Sequence, residues 1–209
     1  MIRIPRGGAA ACLFRTLIAA LGLVMLAGCH SEPERPQFKS LDISGIAYAR
    51  DFSLTDQNGV PRTLESFRGK IVLVFFGYTQ CPDVCPTTMT DLATVMKRLG
   101  PDAKRVQVLF VTIDPERDTP DVLKRYVPNF DPDFLGLYGT AAQTEAVGKE
   151  FKVFYQKVEG PTANSYSMDH TAATYVFDAS GHPRLYIPNA ATPDDITHDL
   201  TILLAPAAT

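Results

Sequence analysis

Two predominantly apolar runs organise the chain, Ile71-Val-Leu-Val-Phe-Phe76 and Val106-Gln-Val-Leu-Phe-Val-Thr-Ile113. Both are short and rich in β-branched and aromatic residues, the pattern of strands buried on both faces of a sheet. Between them Met89, Leu92, Val95, Met96 and Leu99 recur at helical spacing, which predicts a helix over 87–99 with one apolar stripe against that sheet. Upstream, residues 51–64 surround the turn pair Asn58-Gly59 and predict a hairpin. Downstream, Thr119 is placed to cap a helix running through Tyr126, with Pro120 at its first position. A strand over 134–138, a helix over 140–151 and strands over 153–158 and 171–177 follow. A turn at 178–181 leads to a strand over 183–187, and 193–204 is a final helix. This order of elements predicts an α/β fold, a central mixed β-sheet flanked by helices.

The start of the chain departs from that pattern. Residues 1–15 carry Arg3, Arg6 and Arg15 and no acid, and an apolar run of ten residues follows at 17–26. A membrane-spanning helix needs roughly 20 such residues, so the run suits the apolar segment of an export signal. Leu26-Ala27-Gly28-Cys29 resembles the lipobox of bacterial lipoproteins, where small residues admit a peptidase and the thiol becomes the acylated N-terminus. Residues 1–28 are therefore expected to be a lipoprotein signal peptide and Cys29 the lipidated residue. Residues 29–44, polar and proline-bearing, are expected to be a tether, and 45–209 the folded domain. An uncleaved short anchor is the alternative. Either way the domain is exported, on the periplasmic side of a bacterial membrane and held at its surface.

Composition agrees with one domain behind a leader: 209 residues, 45% hydrophobic, 21% charged, with 16 Pro and 14 Gly. The net charge of −3 shows no basic excess, which argues against a nucleic-acid partner. Removing residues 1–28 takes three arginines and leaves 181 residues of net charge −6. Cys12 leaves with the signal and Cys29 is capped by lipid, so only Cys81 and Cys85 remain as thiols. In an oxidising compartment a lone close pair is a disulfide, a metal clip, or a group alternating between the two.

The pair lies in Phe75-Phe-Gly-Tyr-Thr-Gln-Cys81-Pro-Asp-Val-Cys85-Pro86, where a buried strand gives way to a helix. Helix N-termini carry partial positive charge and favour thiolate. Pro82 and Pro86 fix the local turn. A helical offset of four residues puts the two Cβ atoms about 6 Å apart, and a disulfide needs about 3.8 Å. Small rotamer changes thus separate chelation of a soft ion from closure of a disulfide. Two thiolates rarely satisfy a metal alone, and neutral imidazole is the usual third ligand. His30 falls in the tether, His182 in a turn and His198 on a surface helix. His170 stands at a loop-to-strand junction just before a buried strand, in Met168-Asp169-His170-Thr171. Spacing alone leaves a purely structural histidine open.

Tyr78-Thr-Gln-Cys81-Pro-Asp-Val-Cys85-Pro86, then Asp114-Pro-Glu-Arg-Asp118-Thr119, then Asp169-His170-Thr-Ala172 resembles the Sco/SenC family, over residues 44–204. These copper proteins assist cytochrome c oxidase assembly. The resemblance implies a thioredoxin-like fold and one copper, Cu(I) or Cu(II), on Cys81, Cys85 and His170. It implies a metallochaperone serving the binuclear copper centre. The partner is the oxidase's copper-bearing subunit, with another periplasmic copper chaperone or a thiol reductant as further partners. It also allows a second role, thiol-disulfide reduction of the oxidase's copper-ligand cysteines by a redox-active Cys81–Cys85 pair, without the protein being an enzyme of the usual kind. Asp83, Asp114 and Asp118 are candidates to support the ligands from behind, or to serve only as turn and cap residues. Met168 is expected to pack. Val84-Cys85-Pro86-Thr87 also resembles the peroxidatic motif of peroxiredoxins, a reading that leaves Cys81 and His170 without necessary roles.

Overall fold

The two apolar runs become adjacent strands at the centre of a mixed sheet. This is seen in a computed structural model that describes residues 36–162 and 165–206. The expected signal peptide, Cys29 and the first part of the expected tether lie outside the described residues. In chain order the strands are β1 (Leu41–Asp42), β2 (Leu54–Asp56), β3 (Pro61–Arg62), β4 (Ile71–Gly77) and β5 (Val106–Thr112), then β6 (Leu135–Tyr138), β7 (Tyr155–Glu159), β8 (Tyr166–His170), β9 (Ala173–Phe177) and β10 (Pro183–Pro188). The helices are α1 (Val84–Leu99), α2 (Pro120–Tyr126), α3 (Ala141–Glu150) and α4 (Pro193–Leu204).

Eight strands form one sheet in the order β1-β10-β9-β4-β5-β6-β2-β3. β4 and β5 run parallel from Ile71↔Val106 to Gly77↔Thr112, and every residue of both is buried. β6 continues the parallel set, whereas β9 pairs with β4 antiparallel. The core around them is aromatic: the ring of Phe151 lies 5.1 Å from Phe76 and 5.4 Å from Tyr175, edge to face. The predicted hairpin forms as β2 and β3. The buried carboxylate of Asp56 closes it by accepting from the N–H groups of Asn58 and Val60 and from Arg62 Nε.

The helix starts follow side-chain caps. Thr119 accepts from Val122 N–H ahead of α2, and Thr140 with Gln143 and Thr192 with Asp195 form capping boxes for α3 and α4. α1 begins three residues earlier than its apolar stripe suggests, at Val84. Pro86 does not prevent this, because the first-turn N–H groups have no partner inside the helix anyway. Cys85 is therefore a first-turn residue.

Two expectations change. The strand expected over 153–158 does not join the main sheet; β7 pairs antiparallel with β8 in a two-stranded sheet of their own. β8 carries too little apolar character to stand out in the sequence, and the strand expected from residue 171 starts at Ala173. The segment expected to be tether is also partly captured by the body. Lys39 N–H and Ser40 N–H donate to the Asp199 carboxylate of α4 at 2.7 and 2.8 Å, and β1 pairs with the free edge of β10. An open sheet edge next to a buried acceptor is the physical reason.

Asp199 has no exposed surface. Burial raises its carboxyl, but the Lys39 N–H, the neighbouring His198 and Ser40 outweigh that and hold it below its ordinary value. Its contribution to stability is then complete above the ordinary carboxylate value of about 3.9 and is lost as pH falls through the lower folded value. Asp199→Asn is expected to lower stability by about 2 kcal/mol at pH 7 and to flatten the acid limb of the stability curve, both measured by urea unfolding. An unchanged acid limb would contradict this account.

Candidate metal centre

Gly77 ends β4 with its carbonyl still tied to the sheet, since Ile113 N–H donates to Gly77 O at 2.9 Å. A Cβ at this position would lie 2.9 Å from Cys85 Sγ and 2.9 Å from the Phe110 ring. Glycine is thus required by the approach of α1 to the strand end, not by its backbone angles. Past it, Cys81 N–H closes a turn onto Tyr78 O at 3.3 Å, and Cys85 N–H points at Cys81 Sγ, 3.5 Å away. Cys85 is fully buried and Cys81 partly exposed.

His170 is the last residue of β8 and reaches this loop from the separate sheet. Its Nε2 lies 3.6 Å from Cys85 Sγ and its Nδ1 3.2 Å from Thr171 O. An Nδ1–H donated to that carbonyl leaves the Nε2 lone pair facing the sulfurs. The rings of Phe75 and Tyr78 meet the imidazole edge-on at 6.4 and 6.0 Å. The ligand atoms of Cys81, Cys85 and His170 all lie within 4.8 Å of one another, and no other such group of three exists among the described residues. Metal bonds of about 2.0–2.3 Å put ligand atoms no more than about 4.6 Å apart, so shifts of a few tenths of an ångström would let the three share an ion.

The two thiols are not equivalent. Burial raises Cys81, but the N–H groups of Asp83 and Cys85, with the Cys85 thiol and the Tyr78 hydroxyl, outweigh it and leave Cys81 below its ordinary value. Burial pushes the Cys85 thiol well up, and the nearby charges of Cys81 and Asp118 push the same way. Burial lowers His170, so its neutral, ligating form prevails at neutral pH. Cys81 is the accessible nucleophile and Cys85 the protected partner. A peroxidatic Cys85 is at odds with both its burial and its raised pKa.

The three aspartates fare differently. Asp83 is exposed, its carboxylate meets Thr87 Oγ1 at 3.4 Å, and only its backbone serves Cys81. Asp118 is buried and accepts from Thr79 N–H at 3.0 Å, Thr79 Oγ1 at 2.6 Å and Thr112 Oγ1 at 2.6 Å, which fixes the loop just ahead of Cys81. Asp114 accepts from the Tyr166 hydroxyl at 2.9 Å and pairs with Arg117, which fixes the start of β8. Asp114 and Asp118 therefore hold the segments that carry Tyr166 and Thr79, and Asp118 also bears on Cys85 through its charge. His198 pairs with Asp199 and His182 sits beside Asp178, both outside the site; Met168 packs against the core. Gly77, Tyr78 and Tyr166 are site residues that the sequence reading did not assign. The alternation of Tyr166, Met168 and His170 is the signal that marks β8.

An α/β domain with two cysteines at a strand-to-helix turn and a histidine facing them is a dithiol–imidazole protein on a thioredoxin-like frame. Residues 42–205 match the family model SCO1/SenC, and the chain belongs to the SCO1/SenC family. Among curated relatives it is similar to the SCO2-like protein of Rickettsia felis, 37% identical over 169 residues that span 79% of this chain and 82% of that one. Among solved structures it is similar to ScoI of Bradyrhizobium japonicum with copper bound, at 41% identity and a TM-score of 0.68, covering 73% of this chain and 97% of that chain. It is also similar to apo Sco1 of Thermus thermophilus, at 40% identity and a TM-score of 0.70, covering 80% and 97%. The expected thioredoxin-like fold, with its mixed sheet flanked by helices, is thereby established.

With both thiols reduced at pH 7, iodoacetamide is expected to alkylate Cys81 at least about ten times faster than Cys85, read by peptide mass spectrometry. Equal rates would contradict the asymmetry. Gly77→Ala is expected to cost about 1–3 kcal/mol of stability through overpacking.

Proposed function

We propose that the protein is a copper metallochaperone that binds one copper ion through Cys81, Cys85 and His170. It delivers the ion to the copper-bearing subunit of a cytochrome c oxidase and so assists assembly of the binuclear copper centre. The observation that carries this reading is the convergence of two sulfurs and one imidazole nitrogen within 4.8 Å. Family membership supports it, as do relatives solved with copper bound, ScoI of Bradyrhizobium japonicum and yeast Sco1. Thiolates favour Cu(I), and an imidazole with an open position suits Cu(II). Three ligands rather than four leave the ion open to attack by an acceptor's ligand, whereas a structural zinc site would be closed. Cys81, partly exposed, is the ligand such an acceptor meets.

The same reading places Cys29 in a membrane as a lipid anchor, with residues 1–28 as its signal and residues 29–44 as the segment that joins it to the domain. The lipobox-like Leu26-Ala27-Gly28-Cys29 supports it. No helix among the described residues is long and apolar enough to cross a membrane.

Thiol-disulfide reduction is the second reading, favoured by the inequality of the two thiols. Cys81 thiolate attacks one sulfur of a partner disulfide, forming a mixed disulfide and releasing the other partner sulfur as thiolate. Cys85 then loses its proton and attacks Cys81 Sγ, which leaves a Cys81–Cys85 disulfide and a fully reduced partner.

Copper titration of residues 31–209 separates the readings. Reduced protein is expected to bind one equivalent and oxidised protein none. His170→Ala is expected to weaken binding at least about tenfold with an unchanged urea midpoint. Unaltered affinity in that variant would remove His170 from the ligand set. The reductase reading requires copper-free reduced protein to reduce a copper-centre disulfide faster than glutathione, and Cys85→Ser to trap the mixed disulfide at Cys81.

A further inference from the structure

We propose that Arg117 is the positioning residue that sets the distance between the cysteine loop and the histidine arm. This rests on the reading of Cys81, Cys85 and His170 as one site. The problem it solves is topological. Both cysteines belong to the main body, at the end of β4 and the start of α1, while His170 belongs to β7–β8, a sheet of its own. Among the described residues no strand pairing joins the two sheets; Thr171 and Ala172 link His170 to β9, and side chains set how the rest of the arm stands against the cysteine loop.

One guanidinium touches every part concerned. Arg117 Nη1 donates to Gln80 Oε1 at 3.1 Å, on the residue preceding Cys81, and to Tyr166 O at 2.9 Å, at the first residue of β8. Nε donates to the Asp114 carboxylate, which itself accepts from the Tyr166 hydroxyl. The guanidinium carbon lies 3.4 Å from the Tyr166 ring centroid and 5.7 Å from that of Tyr78, so the cation stands between a ring of the arm and a ring of the cysteine loop. Nη2 is buried without a hydrogen-bond partner. Other ties of arm to body are Tyr166 to Asp114, an exposed pair of Lys157 Nζ and Glu116 at 3.2 Å, and Tyr155 and Met168 packed against the core. Further along β8 the Met168 backbone meets the Tyr78 hydroxyl and His170 meets Cys85 Sγ, whereas Arg117 holds the start of the strand.

The planar fork is what the position needs. A lysine offers one compact charge that can pair with Asp114 but cannot also span Gln80 and Tyr166 or stack on a ring. Losing the fork frees the arm relative to the sulfurs while leaving β4, β5 and α1 intact.

The test uses the full chain, reduced, with Arg117→Ala, Arg117→Lys and Gln80→Ala; the last is an exposed site whose loss does not threaten folding. In copper-free protein, hydrogen exchange at β7 and β8 amides is expected to rise at least about tenfold in both Arg117 variants and less in Gln80→Ala, with β4 and β5 amides unchanged. With Cu(II) added, nitrogen coupling from His170 in the paramagnetic resonance spectrum is expected to weaken or vanish, while the sulfur-to-copper charge-transfer band remains. Three results would overturn the proposal: arm exchange and nitrogen coupling as in the unmodified chain, full rescue of both by lysine, or faster exchange throughout β4 and β5. Should the unmodified chain bind no copper, the copper reading fails, and the exchange ratio between arm and sheet still decides the role of Arg117.

Discussion

Two parallel strands without a single exposed residue, β4 and β5, impose the rest of the structure. Strands buried on both faces need paired neighbours and covering helices. β9 and β6 supply the pairing, and the helices supply the cover. Parallel pairing also brings the two strand ends out side by side. The cysteine loop leaves β4 at the point where the Asp114–Asp118 turn leaves β5, which is why Asp118 can hold Thr79 with two bonds. The site is thus a product of register as much as of motif: shifting β5 by one residue would turn Thr112 and its partner Asp118 away from the loop.

What the core does not supply is the imidazole. It arrives on a two-stranded arm bonded to the body by polar and aromatic side chains, and the ring is steered by its own neighbour, Thr171 O, and by the edges of Phe75 and Tyr78. The sulfurs are divided between two environments, one partly exposed in the loop and one buried in the first turn of α1. The two thiols thus come from the main sheet and its first helix, and the imidazole from a separate two-stranded sheet.

The elements legible in the sequence are those where hydrophobic period is strong. β4, β5, the apolar stripe of α1, the Asn58-Gly59 hairpin and the capped helices α2 to α4 all form where the pattern places them. β8 was hidden because three of its five residues, Ser167, Asp169 and His170, are polar; it pairs with β7, and of its residues Met168 packs against the core. β1 was hidden because two residues carry no period, and only the distant Asp199 makes their position favourable. Within the site, Cys81 and Cys85 were legible from spacing, and His170 only with the aid of family resemblance. The separate duties of Asp83, Asp114 and Asp118 depend on partners 3 to 52 residues away in the chain, and local pattern carries no trace of the distant ones, Thr79 and Tyr166.

The attachment of Lys39 and Ser40 to Asp199 also has a mechanical meaning. Any pull on the chain ahead of Lys39 is borne by two hydrogen bonds on α4 and then by β1, a two-residue strand at the edge of the sheet. β10 and β9 stand between that edge and β4. Load entering there would peel the margin of the sheet before it strained the sulfurs. Load entering the chain ahead of Lys39 is thus kept away from the end of the sheet that carries the two cysteines.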